Sequence, residues 1–136
     1  MSDEIFLKRA VHVATHSREP VKCGVVLVNE AGEMIAQAYN SQRDDEQVVN
    51  HAEIKALQEA NHILNSRKLK GVTAYCSCEP CVMCLVALSL ADVERVVFTE
   101  TMRDVDPESS LSQVDAREFV NRYLRGIPKL ERLVVS

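Results

Sequence analysis

The chain has 136 residues, of which 46% are hydrophobic and 4% aromatic. That length suits one domain spanning 1–136 with one core, and it excludes a two-domain enzyme and a chain too polar to fold. Sixteen basic residues stand against twenty acidic ones, a formal charge of -4, so the overall balance attracts neither phosphate backbones nor anionic membranes over distance, although it does not exclude a local basic patch.

Asp3, Glu4, Lys8 and Arg9 break up the start of the chain, which therefore does not read as a secretory leader. No apolar run is long enough to cross a bilayer. A soluble, cytoplasmic protein without a membrane partner is expected.

Taken in order, residues 3–17 predict a helix with Phe6, Ala10, Val13 and Ala14 on one face. Cys23 to Asn29 predicts a strand. Glu30-Ala31-Gly32-Glu33 predicts a hairpin turn in which the glycine supplies an unusual φ, and Met34 to Tyr39 the antiparallel return. Residues 40–50 are polar and read as a surface loop. His51 to Asn65 predicts a helix with an apolar stripe of Ala56, Leu57, Ala60, Ile63 and Leu64. Strands are expected at 72–76 and 95–99, with a helix from Pro80 to about Ala91 between them. Residues 102–113 read as a loop, 114–124 as a helix and 130–135 as a last short strand. The order αββαβαβαβ implies an α/β fold, a mixed sheet with helices packed on its faces.

Four of the five cysteines fall between Cys76 and Cys84. A cluster so tight in a cytosolic chain points to metal rather than disulfides. Cys81 and Cys84 are three apart, so a helix puts both sulfurs on one face. A helix start favours thiolate over thiol. Two thiolates make half of a tetrahedral zinc site, and His51, at the start of the neighbouring helix, is a suitable third ligand. Three protein ligands leave one position open, as a catalytic zinc requires. Glu53 lies on the apolar stripe of its helix, where a carboxylate needs a partner. A water on the metal would be that partner, with Glu53 moving its proton.

His51-Ala52-Glu53 followed by Pro80-Cys81-Val82-Met83-Cys84 is the paired signature of zinc deaminases. The sequence resembles the cytidine-deaminase-like superfamily from Phe6 to about Phe98. It is closest to the branch that holds guanine deaminases, fungal-type cytosine deaminases and tRNA adenosine deaminases. The resemblance implies a three-layer α/β/α fold with a five-stranded mixed sheet, and a homodimer or higher oligomer. It implies one Zn2+ per chain with a bound water or hydroxide, held by His51, Cys81 and Cys84, with Glu53 as proton shuttle. It also implies that Asn40 hydrogen-bonds the base and that the backbone near Ala52 and Glu79 frames it.

Within the branch, Glu4 to Val11 and Ser77-Cys78-Glu79-Pro80-Cys81 resemble bacterial guanine deaminases. Guanine to xanthine is therefore the first expectation, with Asp115 as the acidic residue that holds the base and Asp104 or Asp106 as competitors. A cytosine-type deaminase and a tRNA adenosine deaminase are the alternatives. The tRNA reading needs a basic surface, which Lys and Arg residues at 67, 68, 70, 122, 125, 129 and 132 would have to supply together. A small-molecule substrate fits the acidic balance better than nucleic acid. The sequence departs from the branch at Gln47-Val48-Val49-Asn50, where Asp-Pro-Thr is common, and at the acidic segment 103–111. Three non-deaminase readings compete: a closed metal site with Cys78 as fourth ligand, an iron–sulfur run lacking its fourth cysteine at Leu88, and a zinc-binding non-catalytic subunit. The presence of Glu53 argues against the last.

Overall fold

Val25-Val26-Leu27-Val28 has no polar side, and in the computed structural model, which describes residues 2–135, it is buried on both faces. It forms β1 (Gly24–Val28), an interior strand of a sheet ordered β2-β1-β3-β4-β5. β2 (Met34–Tyr39) and β3 (Thr73–Cys78) flank β1 and both run antiparallel to it. β4 (Arg95–Glu100) and β5 (Lys129–Arg132) continue in parallel. The sheet is the expected mixed, five-stranded one.

Alternation along each strand sorts the core into two layers. Val26, Val28, Tyr75 and Val97 meet α1 (Asp3–Ala14) through Phe6, Leu7, Ala10 and Val13. Val25, Leu27, Ala74, Cys76, Val96 and Phe98 face the opposite layer. That layer holds α3 (Ala52–Leu64), α4 (Val82–Leu90) and α6 (Ala116–Tyr123). The arrangement is α/β/α.

Gly24 is required by close approach. A Cβ there would sit 2.3 Å from the Ala10 carbonyl oxygen and 2.5 Å from the Ala14 nitrogen, so α1 could not lie where it does. Gly32 has φ +81° in the hairpin turn, as its position in the turn predicts.

The structure differs from the expectations mainly in the polar segments. The loop 40–50 carries one helical turn, α2 (Gln42–Asp45), and 102–113 carries α5 (Met102–Val105) and a 3-10 turn (Ser110–Gln113). These turns are held by side-chain bonds such as Thr101 Oγ1 accepting from the Asp104 N–H, which apolar periodicity does not register. β3 runs on to Cys78 because Cys78 pairs with Glu100 of β4. The first helix ends at Ala14, three residues early, and the Ser17 hydroxyl donates to the Asn40 carbonyl instead.

Candidate metal centre and pocket

Two helices begin side by side at the ends of β3 and of the loop after β2. His51 is the N-cap of α3 and Cys81 the N-cap of α4, both extended in backbone and neither capping with its side chain. Each cap's carbonyl accepts the first helical bond, from Lys55 at 3.1 Å and Leu85 at 2.9 Å. The side chains are thus left free at the positive ends of two helices, where a thiolate is stabilised. Cys84 lies one turn along α4, fully buried.

His51 Nδ1 is 3.8 Å from Cys81 Sγ, and Cys81 Sγ is 3.8 Å from Cys84 Sγ. Ligand atoms of all three fall within 4.8 Å of one another. With zinc–sulfur bonds of about 2.3 Å, two sulfurs of a tetrahedral site stand about 3.8 Å apart. The donor set and its spacing therefore fit zinc.

Cys78 is not part of this group. Its sulfur lies 3.5 Å from the Lys22 carbonyl and 3.7 Å from the Ser77 hydroxyl, and it faces Cys23. A closed four-ligand site through Cys78 is not what the geometry offers.

Electrostatics sharpen the picture. The Cys84 partner, followed by His51, holds the Cys81 thiol down at about 4 against the opposing effect of burial. Contact with Cys81, then burial, pushes Cys84 up, and contact with Cys81 raises His51. Burial pushes Glu53 up to about 7, with its own backbone N–H pulling the other way. Glu53 is a buried carboxyl in the first turn of α3, two residues from His51. A dication held by the three side chains would turn the thiols into thiolates and favour the Glu53 carboxylate.

The cluster opens into a pocket of about 360 Å³, within the range that small ligands occupy. His51, Ala52, Glu53 and Cys81 form its floor. One wall comes from Glu19, Pro20, Val21 and Cys23 before β1, another from Asn40 and Gln42, and the cover from Met102 to Leu111.

Asn40 lines the pocket, yet its amide also works as a strut. Oδ1 accepts from the Cys23 N–H at 2.9 Å, and Nδ2 donates to the Val21 carbonyl at 2.7 Å. One amide hydrogen and one lone pair stay free for a ligand. Glu79 accepts the Met102 N–H on Oε1 at 3.0 Å, and its own N–H donates to the Glu100 carbonyl at 2.8 Å, so it ties the cover to the metal loop. Ala52 packs its methyl into the core, and its N–H is one of the first-turn donors that the helix does not use.

Asp115 is not brought to the pocket. It is exposed and caps α6, accepting the Glu118 N–H at 3.0 Å. Asp106, the competitor, lines the pocket through the cover, whereas Asp104 does not line it and faces Arg132 at 3.8 Å. Glu19, Gln42, Met102 and Leu111 also line the pocket without any signal in the sequence, because they belong to no motif and reach it only through tertiary folding.

The family model of the cytidine and deoxycytidylate deaminase zinc-binding region matches residues 1–100. A tRNA-specific adenosine deaminase of Aquifex aeolicus is 40% identical over 101 residues, 73% of this chain and 66% of that protein. One from Bacillus subtilis is 40% identical over 98 residues, 71% of this chain and 60% of that protein. The matched stretch thus spans less than two thirds of either relative. Among solved structures, one from work on A-to-I editing by tRNA:A34 deaminases superposes with a TM-score of 0.79 at 28% identity, covering 95% of this chain and 97% of that one. Guanine deaminase from Bacillus subtilis superposes with a TM-score of 0.73 at 28% identity, covering 100% of this chain and 87% of that one.

Proposed function

The chain belongs to the cytidine and deoxycytidylate deaminase zinc-binding family, zinc-dependent hydrolytic deaminases, and from that premise we propose that it deaminates a nucleobase, with adenine in a transfer RNA as the first substrate reading. The observation that carries the chemistry is the His51, Cys81 and Cys84 cluster beside buried Glu53. The substrate reading rests on the tRNA-specific adenosine deaminases at 40% identity, and it displaces guanine from the first place given to it by sequence.

In this reading His51, Cys81 and Cys84 hold one zinc ion, which supplies the Lewis acidity that makes water a nucleophile near neutral pH. Glu53 takes one proton from the attacking water and gives it to the ring nitrogen, then takes the second proton from the added hydroxyl and gives it to the departing amine. The new C–O bond replaces the C–N bond, and ammonia leaves. Asn40 orients the base with its free amide positions, while the first-turn N–H groups of α3 frame it.

A second reading, a free purine base such as guanine, has its own support. Three cations around the pocket are paired with carboxylates: Arg43 with Glu19 at 3.9 Å, Arg18 with Asp44 at 3.8 Å, and Arg132 with Asp104 at 3.8 Å. Charges paired in this way add little net attraction for a polyanion. Ammonia release from the zinc-loaded protein, offered an anticodon stem-loop, adenine, adenosine, guanine and cytosine in turn, tests both readings. Release from the stem-loop supports the first, and release from guanine alone supports the second.

No helix among the described residues is long and apolar enough to cross a membrane. All five cysteines are free thiols, which a reducing compartment such as the cytoplasm preserves. Ile63, Leu64 and Leu90 expose apolar surface at the ends of two adjacent helices, as a homodimer contact would use, and sedimentation of the purified chain checks it.

A further inference from the structure

Gln42 holds a buried acceptor that nothing in the protein satisfies. Its Oε1 is the one buried side-chain polar atom without a hydrogen-bond partner among the described residues. Gln42 also lines the pocket that holds Glu53 and the metal cluster. A buried carbonyl without a donor costs free energy, and such atoms are rare in folded proteins.

The backbone that carries Gln42 is firmly fixed. The Ser41 N–H donates to the Asn50 carbonyl at 3.0 Å, and the Gln47 N–H to the Gln42 carbonyl at 3.0 Å. Lys55 Nζ donates to Ser41 Oγ at 2.6 Å, and the Arg43 N–H to Glu19 Oε2 at 3.1 Å. An unpaired acceptor on a residue that lines the pocket gains a hydrogen bond when a ligand brings a donor to it.

We infer that Gln42 reads the substrate, its amide oxygen accepting a hydrogen bond from an N–H or O–H group other than the amine being removed. The inference rests on the deaminase reading for the identity of the ligand. Two sources of donor fit: the ring N–H of a free base, or a ribose hydroxyl of a nucleoside.

The test measures binding calorimetrically to zinc-loaded Glu53→Gln protein, so that no ligand is consumed, with Gln42 kept or changed to Met or Glu. Ligands are adenine, which has a ring N9–H, adenosine, which has hydroxyls, and 9-methyladenine, which has neither. Guanine, guanosine, 1-methylguanine and 9-methylguanine form a second series. Expected with Gln42 is a preference of about tenfold or more for a donor-bearing ligand over its methylated form. Gln42→Met should erase that preference, and Gln42→Glu, which keeps acceptor oxygens, should restore it. A preference for adenine assigns the donor to the ring, and one for adenosine to the ribose.

Gln42→Met should also melt no lower than its parent, because it removes an unsatisfied group and keeps the side chain's length. A marked loss of stability, or failure to fold, would overturn the inference by showing that the amide has a structural partner. An equal preference in parent and Met variant would overturn it, as would no preference in either series or no binding at all. Binding with the expected contrast, combined with no ammonia release by the Glu53 protein, would uphold Gln42 and refute the deaminase reading.

Discussion

His51 and Cys81 occupy equivalent places on two neighbouring helices, each an N-cap that leaves its side chain free, and their ligand atoms meet at 3.8 Å. The usual N-cap residues would turn inward and bond the helix. A histidine and a cysteine there forgo that bond and point two donors at one place, which a metal can then join. This couples metal binding to the packing of α3 on α4.

Removal of the metal should therefore loosen the protein. Chelator treatment is expected to lower the melting temperature, and restored zinc to recover it, since binding energy to a folded site is folding energy. Cys84→Ser should bind zinc far more weakly, which atomic absorption of the dialysed protein checks. Full zinc occupancy in that variant would remove Cys84 from the ligand set.

Glu53 carries a pH signature in metal-free protein. Its carboxyl rises from an ordinary 4.5 to about 7 through burial. Between those values the folded chain binds more protons than the unfolded one, so this group's contribution to stability falls as pH rises, by up to about 3 kcal/mol. Cys81, held at about 4 from an ordinary 9.0, contributes in the opposite sense across the same window. The difference between wild type and Glu53→Gln isolates the carboxyl. Glu53→Gln should gain in relative stability as pH increases from about 4.5 to 7, measured by denaturant melts after chelation. A difference that does not change with pH would show that Glu53 is not buried as a titrating group.

Asn40→Ala should cost both stability and substrate affinity. It removes two hydrogen bonds to the backbone at 21 and 23, worth about 1–3 kcal/mol together. Melting temperature and KM should both worsen. Loss of affinity without loss of stability would assign Asn40 to the ligand alone.

Asp115→Ala should behave as a lost helix cap, at a cost of about 0.5–2 kcal/mol. Asp115→Ser should recover most of that cost. Neither change should move KM or kcat. A rise in KM in both variants would return Asp115 to the substrate site.

The sequence carried the fold because its strands and helices are patterned by burial. The apolar run 25–28, the stripe of Ala56, Leu57 and Ala60 and the hairpin glycine at 32 each follow from chain-local physics, whereas Ile63 and Leu64, expected on the same stripe, are exposed because the last turn of α3 runs past the sheet. The metal donors were legible because helix geometry fixes Cys81 relative to Cys84, and because His51 starts the adjacent helix. The rest of the pocket was not. Gln42 and Glu19 reach it through folded polar turns, and the cover at 102–111 is shaped by side-chain bonds such as Glu79 to Met102. Asp115 is a helix N-cap, and in sequence an acidic cap has the same local appearance as the acidic substrate residue that the resemblance implies.

Zinc content and ammonia release, measured on one preparation each of wild type and Glu53→Gln, test the central claim most directly. Both proteins should hold one zinc per chain, and only wild type should release ammonia from a substrate of the panel, with the variant slower by at least about a hundredfold. Turnover at the wild-type rate in Glu53→Gln would contradict the shuttle role. Absence of zinc from wild-type protein supplied with the metal would contradict the site itself.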